Sequence, residues 1–323
     1  MDTVTHGLMG GTLVGLATID PHVDAVTVGF ASTMVAASLI PDIDTVLKAK
    51  DNATYIKNHR GLTHSLPFTF VIWPLLLATV SNVIFGLDFF HMYLWSLLAV
   101  FLHVFVDIFN MYGTQALRFF DNRWIQLGII NTIDIPILIL LSLYLVLWAF
   151  GFNPVILFFI IYSLLAIYYV MRAMYKRMLM KKVSRLLPNS EILRLFVMPT
   201  IKFFEWRIAL VTKDKFVVGR AFKTQVVIYD EFDKVGPLEE ELYEIVKSNK
   251  DFNAFTYFSS IYRYEVTQVD RSHIEVRYID LRYLQNGHYP FVCIIIINQD
   301  TNDIKSSFTG WVFSEEKLQS KVT

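Results

Sequence analysis

Four stretches of this chain, Leu66–Gly86, Phe89–Phe109, Ile129–Phe150 and Pro154–Met171, each run for roughly 20 residues without a lysine or arginine. A hydrocarbon core ~30 Å thick takes ~20 helical residues to cross. A segment inside it must also satisfy its own backbone hydrogen bonds, so each stretch is expected to be a membrane helix. Pro74 and Pro136 fall inside them, which membrane helices tolerate. The composition agrees: 54% of residues are hydrophobic and 18% charged, too little polar surface for a soluble protein of this length. Two weaker segments precede these, Val4–Ile19 and Ala25–Ile40, rich in Gly, Ala, Ser and Thr. Both are short, so they either span or form a re-entrant hairpin, and in both cases their outer ends emerge on one side. Gly7, Gly11 and Gly15, spaced by four, leave one face of the first helix bare for a close neighbour.

Residues 1–171 carry six Lys/Arg and the remaining residues carry 23. Lys48, Lys50, Lys57 and Arg60 lie between the second and third segments, and Arg118 and Arg123 between the fourth and fifth. Arg172, Lys176, Arg177, Lys181, Lys182 and Arg185 follow the sixth, whereas the connections near Pro21, Leu87 and Asn153 have no basic residue. The positive-inside rule puts the charged loops and both termini in the cytoplasm. The expected organisation is a membrane domain over 1–172, a basic juxtamembrane linker over 173–187 and a cytoplasmic domain over 188–323. The linker anchors the topology and can touch anionic lipid. A formal net charge of zero gives no pointer to nucleic acid. The N-terminus lacks the basic region and cleavage site of a secretory signal, so the mature chain is expected to begin near Met1. The single cysteine, Cys293, excludes an intrachain disulfide and suits a reducing compartment.

The C-terminal part reads as an α+β domain, mostly antiparallel. Trp206–Val211 and Lys215–Phe222 flank a turn and predict a hairpin. Further strands are expected at Gln225–Tyr229, Ala254–Phe258, Tyr262–Val269, Ile274–Tyr283, Phe291–Asn298 and Ser306–Phe313, with turns at 270–272 and 299–303. The isoleucines at 294–297 fit a strand buried on both faces. Only Pro237–Lys250 reads as a helix, opened by proline and three glutamates. His273 and His288 are isolated.

Ionisable residues inside membrane segments are costly and ask for a reason. His6 opens the first segment; Asp42 and Asp44 close the second; His59, Arg60 and His64 precede the third. His103 and Asp107 lie four apart near the end of the fourth, on one helical face that Asn110 extends, and Asp134 opens the fifth. The orientation drawn from Lys and Arg alone brings all of these to the cytoplasmic ends of their helices. His22 and His91 fall at the opposite face and belong to no such motif. Imidazoles and carboxylates without cysteine suit a borderline or harder divalent ion, Zn²⁺ or Mn²⁺ foremost. The set exceeds one tetrahedral shell, so two ions bridged by an aspartate are also consistent, and such a pair suits phosphoester hydrolysis. His6, Asp42, Asp44, His59, His64, His103 and Asp107 are the expected ligands; Asn110 and Asp134 are expected to orient them. Arg60 would hold phosphate or developing negative charge.

The motifs Asp-x-x-Thr-His-x-x-x-Gly, Pro-Asp-x-Asp, His-Arg-Gly-x-Thr-His-Ser and His-x-x-x-Asp resemble those of the YdjM-type membrane-bound, predicted metal-dependent hydrolases, described as LexA-regulated in some bacteria. The resemblance covers roughly residues 1–140 and marks His6, Asp42, Asp44, His59, Arg60, His64, His103 and Asp107. It implies a prokaryotic plasma-membrane protein and a hydrolase. The expected substrate is an ester or phosphoester of a lipid or amphiphile at the cytoplasmic leaflet, with Asp42, Asp44, Arg60 and Asp107 in the catalytic set. The rival readings are a non-catalytic metal-binding or regulatory membrane protein and, less well supported, a metal transporter.

Overall fold

The computed structural model describes residues 1–186 and 191–322. Helix α1 spans Thr3–Leu16, α2 Val28–Leu39, α3 Asn52–Asn58, α4 Trp73–Phe85, α5 Phe89–Asp107, α6 Ile135–Ala149 and α7 Pro154–Leu186. Each apolar segment expected from the sequence contains a helix, but α6 begins at Ile135, so residues 129–134 of the expected fifth segment are not helical. Val28–Ala49, Phe68–Phe85, Phe89–Asp107 and Pro154–Leu186 are long and apolar enough to cross a membrane, while Thr3–Ile19 and Ile135–Ala149 are shorter apolar helices. Helix α7 continues without a break through the basic residues expected to form a linker. The last linker residue, 187, and the expected boundary at Pro188 lie outside the described residues.

The chain divides into two compact units, neither contiguous in sequence. The first comprises Met1–Asp44, His59–Met178 and Pro199–Phe203; the second comprises Thr45–Asn58, Leu179–Met198 and Phe204–Thr323. Residues 45–58 thus group with the C-terminal part.

In the first unit, side-chain oxygens of Asp2, Thr27 and Asp88 accept from Thr5 N, Phe30 N and His91 N at the starts of α1, α2 and α5. These caps satisfy backbone donors that a helix end leaves open. Phe30, Met34, Ala37, Ala78, Met92 and Val100 form the interior, fully shielded. Val83, Phe90, Ile139, Ile156 and Ile167 point outwards and are more than half exposed. Helices apolar on both sides are what a lipid environment selects. The close approach on α1 extends beyond the face expected for it. A Cβ at Gly10 would stand 2.9 Å from Val35 Cα, so Gly10 seats α1 against the α2 backbone. Gly11 and Gly15 face Leu145 and Tyr144 of α6, and Gly7 faces open space.

The second unit holds two four-stranded sheets. The first has the order β1 (Ile192–Pro199), β2 (Glu205–Thr212), β3 (Lys215–Phe222), β4 (Gln225–Asp233). The second runs β5 (Tyr262–Gln268), β6 (His273–Asp280), β7 (Phe291–Asn298), β8 (Ile304–Trp311). The expected β2–β3 hairpin is present, with Val211 opposite Phe216 and Trp206 opposite Ala221. In β7 every residue but Asn298 is buried, as its isoleucine run required. Helices α8 (Glu240–Ser248) and α9 (Lys250–Phe258) follow the first sheet, and α10 (Glu315–Val322) ends the described chain. The strand expected at Ala254–Phe258 is thus the second half of a helix. Asn249 caps it by accepting from Asp251 N and Phe252 N, and Phe252, Ala254 and Phe255 are buried. Strand β1 carried no expectation from sequence. Helix α3 packs on α9 and β8, and Asp51 pairs with Lys250 at 3.5 Å.

Candidate metal centre

The loop His59-Arg60-Gly61-Leu62-Thr63-His64 is shaped by one carboxylate. Asp44 accepts from His59 Nδ1 at 2.7 Å, from Arg60 N at 2.8 Å and from Thr63 Oγ1 at 2.8 Å. That grip holds Arg60 at φ 60°, a conformation costing a non-glycine residue ~1–3 kcal/mol. The turn sends the Arg60 guanidinium inwards, where it donates to Met1 O at 3.2 Å and lies 3.4 Å from Asp107 Oδ2. Gly61 follows, and a short 3₁₀ turn over Leu62–His64 delivers His64 to the interior.

Four side chains converge there from three places in the chain: Asp42, His64, His103 and Asp107, whose ligand atoms lie within 4.8 Å of one another. His64, His103 and Asp107 are fully buried, and Asp42 is 16% exposed. His64 Nε2 is 3.3 Å from His103 Nε2, 3.4 Å from Asp42 Oδ1 and 3.6 Å from Asp107 Oδ2. His103 Nε2 is 3.7 Å from both Asp42 Oδ1 and Asp107 Oδ2. A second group, Asp42, Asp44 and His59, shares Asp42 with the first.

The tautomers follow from the hydrogen bonds. His103 Nδ1 lies 2.6 Å from the Ser38 carbonyl and can only donate to it, so in the neutral ring Nε2 carries the lone pair. Thr63 gives its single hydroxyl proton to Asp44, so its oxygen accepts from His64 Nδ1 at 3.1 Å. His64 Nε2 therefore also carries a lone pair. Burial pushes the His64 imidazole down to about 4, which keeps the ring neutral near pH 7. With both rings neutral, two imidazole lone pairs and two carboxylate oxygens face one another, and Asp107 Oδ2 is buried without a hydrogen-bond donor. The Met1 ammonium against Asp107 Oδ1 and the Arg60 guanidinium beside Asp107 Oδ2 offset part of that charge, and a cation among the four ligand atoms would offset the rest. A tetrahedral ion with bonds of ~2.0–2.1 Å sets its ligand atoms ~3.3–3.4 Å apart, close to the shortest spacings here. The residues fit a divalent ion.

The remaining expected residues fall around this group in distinct ways. His6 stacks on His103 with ring centroids 3.6 Å apart, but its Nε2 faces the Met1 amino group at 3.0 Å. The same Nε2 lies 3.4 Å from Asp107 Oδ1, so His6 stands against the group, although it is not one of the four mutually close ligand atoms. Asn110 Nδ2 donates to Asp107 Oδ1 at 2.9 Å while its Oδ1 accepts from Tyr112 N and Gly113 N. Asp134 is a correction: its carboxylate accepts from Tyr168 on α7 at 2.8 Å and orients no histidine of the group. Its place at the start of α6 turns it towards the neighbouring helix. Sequence reasoning missed Thr63 and the Ser38 carbonyl, which set the two tautomers. Thr63 sits inside the His-Arg-Gly-x-Thr-His motif and was legible; the Ser38 backbone contact left no trace in side-chain chemistry.

The family model described as YdjM inner membrane protein matches residues 1–179. The YfhP middle domain matches 190–232 and the YfhP C-terminal alpha/beta plait domain matches 241–322, so the two sheets correspond to two described domains. The chain is 45% identical over 326 residues to a Bacillus subtilis (strain 168) protein bearing the name Uncharacterized protein YfhP, an alignment covering 100% of this chain and 98% of that one. No solved structure matches the chain. The histidine and aspartate motifs, the apolar helices that carry them and these matches agree: the chain belongs to the YdjM inner membrane protein family and continues into YfhP middle and C-terminal domains.

Proposed function

We propose that the chain is a membrane-embedded metal-dependent hydrolase acting on an ester or phosphoester of a lipid or amphiphile. The observation that carries this reading is the set of four mutually facing acceptor atoms on Asp42, His64, His103 and Asp107. Zn²⁺ or Mn²⁺ is the expected ion, and a second ion would use Asp44 and His59 with Asp42 shared. When bound, such an ion supplies Lewis acidity and lowers the pKa of water. The protein's own groups do the rest. Ser38 and Thr63 hold the two imidazoles in the ligating tautomer, and Asn110 fixes the Asp107 carboxylate. Arg60, buried at φ 60°, keeps a fixed positive charge beside Asp107 for a phosphate or an oxyanion. Asp42 and His59, the partly exposed members, form the edge at which substrate would enter.

The basic residues support a multi-pass arrangement with both termini and the centre on the cytoplasmic side. Arg60 and Arg172 are buried and drop out of that count, and Lys48, Lys50, Lys57, Arg118 and Arg123 still carry it. The complete burial of His64, His103 and Asp107 favours a second reading, a metal-binding regulatory protein without turnover.

One experiment separates the two. Purified protein is assayed for bound metal and anomalous scattering, then screened with phosphoesters and lipids beside His64→Ala. Stoichiometric metal with hydrolysis abolished in His64→Ala supports the enzyme. Metal retained with no turnover across the screen refutes it in favour of the regulatory reading, and no metal in wild type refutes the centre itself.

A further inference from the structure

The connection after α1 and the start of α5 hold a second group of ligand-type side chains. Asp20, His22 and His91 each offer an atom within 4.8 Å of the others. His91 and His103 lie on the same helix twelve residues apart, so this group stands ~18 Å along α5 from the centre described above. Residues 22 and 91 are far apart in sequence, yet their rings stack with centroids 4.5 Å apart and planes 15° from parallel.

The surroundings position these groups as ligands are positioned. Asp88 Oδ1 lies 2.6 Å from His91 Nδ1, the carboxylate–histidine contact that fixes a tautomer and leaves Nε2 with its lone pair. The same carboxylate caps α5 by accepting His91 N at 2.8 Å. Trp95 Nε1 donates to Asp20 Oδ2 at 2.9 Å and so holds that carboxylate against α5. Asp20 Oδ1 accepts His22 N at 3.0 Å, which folds the chain back so that His22 reaches His91. Capping accounts for Asp88 and a tight turn accounts for Asp20. Neither accounts for two imidazoles brought face to face from separate elements beside a carboxylate whose outer oxygen is anchored by a tryptophan.

We propose that Asp20, His22 and His91 form a second divalent-cation site, with Asp88 positioning His91, at the end of the bundle opposite the first centre. Two imidazoles and one carboxylate select a borderline ion such as Zn²⁺ or Ni²⁺ over Mg²⁺ or Ca²⁺. His22 is 64% exposed, so the ion is reachable from solvent and keeps at least one water. The site is exchangeable, in contrast to the buried centre, and it does not depend on the proposed hydrolysis.

The test uses the full chain in detergent and Zn²⁺ alone. A His64→Ala/His103→Ala variant, which disables the first centre, is expected to retain one saturable equivalent by equilibrium dialysis. Adding His22→Ala and His91→Ala should weaken that equivalent at least 100-fold, and Asp88→Asn should weaken it roughly tenfold. Wild-type protein provides an independent measurement without substitutions at either site. Zn²⁺ at saturating concentration should protect His22 and His91 from diethyl pyrocarbonate, read by peptide mass spectrometry, while Mg²⁺ does not. Undiminished modification of both histidines in saturating Zn²⁺ would overturn the proposal. So would Zn²⁺ stoichiometry that is unchanged by the His22 and His91 substitutions in folded protein.

Discussion

Thr63→Val tests the argument that hydrogen bonds, rather than the ligands alone, prepare the metal centre. The substitution keeps the shape of the side chain and removes the hydroxyl that donates to Asp44 Oδ2 at 2.8 Å and accepts from His64 Nδ1 at 3.1 Å. A hydrogen bond to a charged acceptor contributes ~1.5–3 kcal/mol and a neutral one ~1 kcal/mol. Asp44 keeps His59 Nδ1 and Arg60 N, so the loop retains two of its three anchors. The expected loss of stability is therefore about 2.5–4 kcal/mol, short of unfolding. The larger effect falls on the ion. Without an acceptor at Nδ1, His64 is free to place its proton on Nε2 and turn a donor towards the cluster. Loss of a partner of this kind costs 10–100-fold in metal affinity. The assay is Zn²⁺ competition against a chromogenic chelator on detergent-purified protein, with Thr63→Ser as the variant that restores the hydroxyl. Wild-type affinity in a folded Thr63→Val protein would refute the tautomer argument. Equal weakness in Thr63→Ser would assign the effect to packing instead.

Gly10→Ala should destabilise the first unit by about 1–3 kcal/mol, because the added methyl meets the Val35 backbone, whereas Gly7→Ala, with open space inside α1, should raise the melting temperature through about 0.5–1 kcal/mol of added stability. Asp134→Asn should leave metal content at the wild-type level and lower stability by about 1 kcal/mol through the weakened Tyr168 contact, read by metal analysis and melting together. A C-terminal fragment covering 191–322 should be less stable to urea than the same fragment fused to 45–58, since α3 supplies surface to α9 and β8; equal midpoints would show that α3 is dispensable.

The membrane helices were legible because a run of apolar residues has few other uses. The candidate cluster was legible because ionisable residues bordering apolar membrane segments are rare enough for convergence to stand out. Other features depended on tertiary context. Phe255, Tyr257 and Phe258 favour strands by local propensity, yet Asn249 caps a helix there and buries Phe252 and Phe255 in one face. Asp134 lay beside motif residues in sequence but found its partner 34 residues on, in Tyr168. His22 and His91 lacked any shared motif, since only the packing of α5 against the turn after α1 stacks their rings. The bare face expected on α1 meets α6 at Gly11 and Gly15, while Gly10, outside the four-residue spacing, makes the closest backbone approach.

The segment 45–58 leaves the first unit at Asp44 and rejoins it at His59, two residues whose side chains meet at 2.7 Å. Helix α3 lies within that excursion, but α9, on which it packs, is synthesised about 190 residues later. During translation α3 must wait, unpartnered, while the apolar helices α4 to α7 are made. The Asp44–His59 contact is available long before then and closes the base of the waiting loop. Biogenesis thus imposes an order: the bundle and its histidine loop can assemble early, and the C-terminal unit completes itself only by capturing a piece of chain made near the beginning.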